Sequence, residues 1–231
     1  MVAYRGAIYG AAPEDARYWL VLSTDDWNQV MSDVVAVPLD DTGVVGGVPS
    51  GCAIDVNGES LVAVAGGLQS ISSEQELGPR VAGVAVEDMR EIERQISELL
   101  QLRSLCGPTP RAAPVVGHPN RYPRWSEIYL GPRRGDPPEK KRYVVVSDNV
   151  WNATMPRVLC IRTTSSRRRG GPGFPEIQRG AAKACCGNIT SLRVGALNLR
   201  DRPSPPSLGL HDMVTIAREV DEVLELTAAR P

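Results

Sequence analysis

The stretch Trp19-Leu20-Val21-Leu22-Ser23-Thr24-Asp25-Asp26-Trp27-Asn28 returns 124 residues later as Tyr143-Val144-Val145-Val146-Ser147-Asp148-Asn149-Val150-Trp151-Asn152. Asp88-Met89, with Ile92, Ile96, Leu99 and Leu100, returns at the same offset as Asp212-Met213, with Ile216, Val220, Val223 and Leu224. A shared offset for a strand-region motif and a helix motif about 60 residues apart implies two copies of one small domain in tandem. Each copy is a complete domain and not a solenoid repeat.

Length supports that division, since 231 residues divide into two domains of about 100, each able to bury a modest core. The first domain is read as residues 1–102 and the second as 123–231. Between them, residues 103–122 carry Gly107, Pro108, Pro110, Pro114, Gly117 and Pro119, a linker composition that stays semi-extended and lets the copies meet face to face. The net charge of −1 hides a division of labour: residues 1–102 hold 5 Arg against 16 acids, and residues 123–231 hold 18 Lys or Arg against 11 acids. The second copy alone is suited to a polyanion.

Five cysteines in no framework spacing, and no charged-then-apolar leader, point to a reducing cytoplasm. No apolar run approaches the roughly 18 residues of a membrane-spanning helix. Short β-rich runs at Trp19–Leu22, Val34–Val37, Tyr143–Val146 and Val158–Ile161 read as strands. Glycines 46, 47, 51, 66 and 67 in the first copy, and 170, 171 and 173 in the second, mark turns or bulges between further strands. Each copy ends in an amphipathic helix, giving an α+β, mainly β fold of two small barrels, each capped by its last helix.

Motif order then resembles one family. The first copy has Arg5-Gly6-Ala7-Ile8-Tyr9, Arg17-Tyr18-Trp19-Leu20-Val21-Leu22, Val37-Pro38-Leu39-Asp40 and Val86-Glu87-Asp88-Met89; the second has Glu127-Ile128-Tyr129, Lys141-Arg142-Tyr143-Val144-Val145-Val146, Ile161-Arg162-Thr163-Thr164 and Leu210-His211-Asp212-Met213. These resemble the Arg-Gly-Asp-Ile-Tyr, Arg-Pro-hydrophobic-Leu-Val-Ile, Pro-Ile-Thr and Ser-Pro-Glu-Asp-Met segments of the MazF/PemK toxins. The resemblance implies SH3-like barrels packed as an intramolecular pseudo-dimer, and a metal-independent endoribonuclease that cleaves single-stranded mRNA and needs no cofactor. It also implies an antitoxin protein as a candidate partner.

Such cleavage needs a base for the 2′-hydroxyl, a cation at the five-coordinate phosphorus and an acid for the leaving 5′-oxygen. Carried over by residue, the family's catalytic Arg falls on Arg17 in the first copy, where Asp40 at the Thr position would repel phosphate. In the second copy the Thr falls on Thr164, and the cation on Arg142, favoured for its planar fork, or on Lys141, which an ungapped alignment selects. One residue of slippage between them reverses which face each presents. The family's Gln-x-Arg segment appears as Leu68-Gln69-Ser70 and Asn188-Ile189-Thr190, neither with an Arg, so Arg179, Lys183 and Arg193 become the candidate substitutes and catalytic competence stays open.

The RNA-binding candidates are Arg133, Arg134, Lys140, Arg162, Thr163, Arg167, Arg168, Arg169 and Arg179, most of them in two basic loops that could flank one groove. Trp27 and Trp151, at matched positions, suit core or pair-interface packing better than base stacking; Phe174 is the aromatic nearest the basic loop. His118 and His211 are the only histidines, one in the linker and one at a helix start where it reads as part of a cap; Cys185-Cys186 reads as buried strand, and no metal site is expected. Competing with the ribonuclease are a silent nucleic-acid- or protein-binding relative and a gyrase-binding CcdB-like toxin.

Overall fold

A computed structural model describes residues 2–11, 17–41, 44–45, 48–49, 51–100, 122–132, 140–165, 173–178, 180–197 and 205–226. The expected linker, all but Tyr122, lies outside them.

In the first half, β1 (Ala7–Ala11), β2 (Tyr18–Val21) and β3 (Asp33–Asp40) form an antiparallel meander, with the short helix α1 (Asp25–Val30) between β2 and β3. Strands β4 (Val44–Val45) and β5 (Val48–Pro49) make a separate ribbon. Next come β6 (Cys52–Val56), β7 (Glu59–Ala63), β8 (Gln69–Ser72), β9 (Leu77–Gly83) and the long helix α2 (Val86–Leu99). The sheet runs β6-β7-β3-β2-β1-β9, and β8 also pairs with β3.

The second half repeats the plan with β10 (Ile128–Pro132), β11 (Lys140–Val145), α3 (Asn149–Thr154), β12 (Arg157–Thr164), β13 (Glu176–Ile177), β14 (Ala182–Arg193) and α4 (Leu210–Leu224), in sheet order β10-β11-β12-β14-β13. The fold is mainly β, two curled half-barrel sheets with a few helices. In α2, Met89, Ile92, Ile96 and Leu99 are buried, and in α4 Met213, Ile216, Val220, Val223 and Leu224, as the 3.6-residue period of their apolar positions requires. Helix α4 starts after Gly209, where no side chain caps the backbone, and His211 is exposed; the expectation that it caps the helix is corrected.

The repeat extends to hydrogen bonds. Leu20 pairs with Val37 and Val21 with Ala36; Val144 pairs with Ile161 and Val145 with Cys160, the same register 124 residues on. Buried Ser23 donates to Asn28 Oδ1 (2.6 Å) and accepts from the Val35 amide (3.0 Å), while Asn28 Nδ2 donates to the Ser23 carbonyl. Ser147, Asn152 and Leu159 make the same three bonds at 2.5, 3.0 and 3.0 Å. These buried bonds fix how each short helix leaves its strand, because a buried hydroxyl or amide without a partner costs about 1–3 kcal/mol.

The halves pack reciprocally. Trp27 Nε1 donates to the Asp33 carbonyl (3.1 Å) and its ring lies over Gly187; Trp151 Nε1 donates to the Arg157 carbonyl (3.2 Å) and its ring lies over Gly66. A methyl group on Gly187 would meet the Trp27 ring at 1.8 Å, and one on Gly66 would meet Trp151 at 2.3 Å, so both positions need hydrogen as their side chain. The Thr24 amide donates to the Val223 carbonyl of α4 (2.9 Å), and the Asp148 amide to the Leu99 carbonyl of α2 (2.9 Å). Each contact has its counterpart with the halves exchanged, which is the signature of an isologous, two-fold interface within one chain. One continuous core, holding Ile8, Leu20 and Ile92 from one half and Val144, Ile161 and Ile216 from the other, runs through both. The tryptophans thus serve the pair interface, as their matched positions suggested.

Candidate functional site

Strand alternation decides which candidate residues meet. Tyr143 pairs with Arg162, so their side chains share a sheet face, and continuing the antiparallel ladder one step sets Arg142 opposite Thr163 and two steps sets Lys141 opposite Thr164. Thr163 pairs onward with Ala184, and Thr164 with Lys183. Arg142 and Thr164 therefore point to opposite faces of the sheet, which corrects their pairing as one site. Lys141, the alternative, shares the face of Thr164.

The inner face holds Ile128, Leu130, Arg142, Val144, Ile161, Thr163 and Ala184. Thr163 is buried and its hydroxyl donates to the Arg142 carbonyl (3.4 Å). Arg142 and Thr163 line an open cleft of about 440 Å³ with Ile128, Tyr129, Leu130, Ile177, Gln178, Ala182, Pro205 and Pro206. Arg142 is the one charged residue among these, so the cleft is mostly apolar.

The outer face of the same strands is cationic. Lys141, Arg162 and Lys183 are half-buried on it with Thr164, and Glu176 of β13 pairs with Lys183 at its edge. Among the described residues, Arg162 Nε is buried without a hydrogen-bond partner. Strands about 4.8 Å apart put the four residues Lys141, Thr164, Lys183 and Glu176 in one row roughly 14 Å long.

The first half carries the same ladder with different chemistry. Pro38 stands for Arg162, Arg17 for Lys141 and Asp40 for Thr164; Asp40 pairs with Val62, which stands for Lys183. Arg17 is exposed, ion-paired with Glu59, and lies 5.2 Å from the Tyr18 ring. Both the Glu59 hydrogen bond and its charge push the Arg17 pKa further up, holding the guanidinium as a neutralised pair. A row of cations in one half is thus a row of mixed and apolar groups in the other.

Lys140 belongs to β11, and Arg193 ends β14 opposite Arg157, away from the row. Arg133, Arg134, Arg167, Arg168, Arg169 and Arg179 lie outside the described residues. Thr190 pairs with Cys160 as Gln69 pairs with Ala36, so the counterpart of Leu68-Gln69-Ser70 is Ile189-Thr190-Ser191, one residue beyond the segment expected from sequence. Glu176 was missed by the sequence reading, because a two-residue strand leaves no periodic signal. Cys160, Cys185 and Cys186 are buried, and burial pushes the Cys160 and Cys186 thiols up.

No protein-family model and no curated protein matches the sequence. Solved structures do show similarity in fold. An endoribonuclease from a mycobacterial species, in complex with its cognate antitoxin, matches with 20% identity and a TM-score of 0.39 over 45% of this chain and 96% of its own. A second mycobacterial endoribonuclease matches with 23% identity and a TM-score of 0.36 over 48% of this chain and 97% of its own. MazF in the MazE–MazF complex of Deinococcus radiodurans matches with 13% identity and a TM-score of 0.37 over 46% and 97%. Each of these chains matches over nearly its whole length to about half of this one.

Proposed function

We propose that the second half is a toxin-type RNA-handling module that takes single-stranded RNA across its outer sheet face and cleaves it without a metal ion, the first half supplying the partner wall. One observation carries the reading: the register puts Lys141, Arg162, Lys183 and the Thr164 hydroxyl on one face, where the first half has Arg17 tied to Glu59, Pro38, Asp40 and Val62. Three cations and a hydroxyl on adjacent strands can grip phosphate oxygens and stabilise the extra charge of a five-coordinate phosphorus. Lys141 supplies a compact cation and Thr164 a donor beside it.

The test is incubation of the full chain with single-stranded RNA in EDTA. Fragments with 5′-hydroxyl ends are expected, lost with Lys141→Gln and Thr164→Ala and retained with Arg142→Gln. No cleavage on varied sequences, with RNA still bound, would establish the silent nucleic-acid-binding relative instead.

A further inference from the structure

We infer that Glu176 and Lys183 are the proton-transfer pair of this site, Glu176 taking the proton of the RNA 2′-hydroxyl and Lys183 giving one to the leaving 5′-oxygen. The inference rests on the proposed RNA cleavage and deepens it. Phosphodiester cleavage by the 2′-oxygen needs an acceptor and a donor on either side of one phosphate, and the first-half positions that match Glu176 and Lys183 hold Ala53 and Val62, which can be neither. In the second half Lys183 is the cross-strand partner of both Thr164 and Glu176, so a single ammonium stands between the hydroxyl and the one carboxylate of the row. Side chains directly opposite on paired strands have Cβ atoms about 4.5–5.5 Å apart, so Thr164, Lys183 and Glu176 all reach one nucleotide.

Glu176 is exposed and so open to a ribose, whereas Ile177, the next residue, is buried against the inner face; the two-residue strand fixes which of them faces out. Val62 stands at the position of Lys183 in the first half and pairs with Ala53, so donor and acceptor are absent together there.

The step balances. The 2′-hydroxyl gives its proton to the Glu176 carboxylate and its oxygen bonds to phosphorus. The bond from phosphorus to the 5′-oxygen breaks, and that oxygen takes a proton from the Lys183 ammonium. The products are a 2′,3′-cyclic phosphate and a 5′-hydroxyl; Glu176 then returns its proton to solvent and the Lys183 amine takes one back from it, which restores the starting pair.

The experiment measures cleavage of a single-stranded RNA oligonucleotide by the full chain in EDTA between pH 5 and 9, with circular dichroism confirming the fold of each variant. Glu176→Gln should lower kcat by about 10²–10⁴-fold and leave RNA affinity unchanged or tighter, while Glu176→Asp retains part of the rate. An RNA whose scissile 5′-oxygen is replaced by sulfur leaves without a proton; it should restore cleavage to Lys183→Gln but not to Glu176→Gln. A Glu176→Gln enzyme within threefold of wild type would overturn the inference while leaving the RNA-cleaving function standing. A wild-type chain that cleaves nothing would overturn both.

Discussion

Replacing Gly66 by Ala should destabilise the whole chain only while Trp151 is present. The three atoms nearest a Cβ at Gly66 all belong to the Trp151 ring, the first at 2.3 Å, more than 1 Å inside van der Waals contact. Relief requires the ring or the backbone of the partner half to shift, and overpacking of this kind costs about 1–3 kcal/mol. Trp151→Ala alone loses the ring's packing and its Nε1 bond to the Arg157 carbonyl, about 3–5 kcal/mol for a Trp-to-Ala change. In the Trp151→Ala background the ring that crowds the added methyl is gone, so Gly66→Ala should become neutral, or stabilise by about 0.4–1 kcal/mol through a less flexible unfolded chain. The double-mutant cycle should therefore show a coupling near 2 kcal/mol, read from urea unfolding of the four proteins. In thermal melts the single Gly66→Ala variant should lose about 4–8 °C, at about 2–4 °C per kcal/mol for a chain of this length. Equal costs for Gly66→Ala with and without Trp151 would show that the ring does not sit there and would refute the reciprocal interface.

Arg5 and Glu93, bonded at 2.6 Å, occupy positions held in the second half by Trp125 and Ala217, because the Arg5 amide donates to Asp25 Oδ1 as the Trp125 amide does to Asn149 Oδ1. Both side chains of the pair are largely buried, at 17% and 8% exposed. Glu93→Ala should thus cost about 1–3 kcal/mol by removing the nearer carboxylate from Arg5, Glu225 remaining 3.9 Å from its Nε, and the double variant Arg5→Trp, Glu93→Ala should recover to within about 1 kcal/mol of wild type; a double variant no more stable than Glu93→Ala in urea unfolding contradicts this. The thiols offer a third check. Iodoacetamide at pH 8 should leave native Cys160, Cys185 and Cys186 unlabelled, since all three are buried and burial holds the Cys160 and Cys186 thiols in their protonated, unreactive form; peptide mass spectrometry showing rapid labelling of any of them would refute the packing of β12 and β14.

Much of the architecture was legible in the sequence because it is written twice. The Trp-Asn pair and the Asp-Met helix start fall at one offset, and the Ser23–Asn28 and Ser147–Asn152 bonds show why those residues recur: each locks a strand to its short helix. The site was harder. Lys141 and Arg142 are neighbours of like charge, and only the cross-strand register, through Tyr143 and Arg162, tells which of them faces Thr164. That register is a property of two strands about 20 residues apart, and a one-residue error inverts every facing. Glu176 and Lys183 were illegible as a pair for the same reason, since β13 contributes two residues and its partner β14 departs from regular pairing between the Ile161 and Thr163 positions. Charge composition nonetheless pointed to the second half as the one suited to a polyanion.

The facing of Lys141 and Arg142 is tested most directly by the salt dependence of RNA affinity. Both substitutions to Gln remove one positive charge from adjacent residues, so any difference reports which sheet face the RNA covers. With the full chain and a single-stranded RNA in EDTA, Lys141→Gln should lower the slope of log affinity against log salt by about 0.7, the value of one phosphate contact on a single strand, and Arg142→Gln should leave it unchanged. Equal slopes for the two variants, or the loss falling on Arg142→Gln, would contradict the cationic outer face as the RNA site.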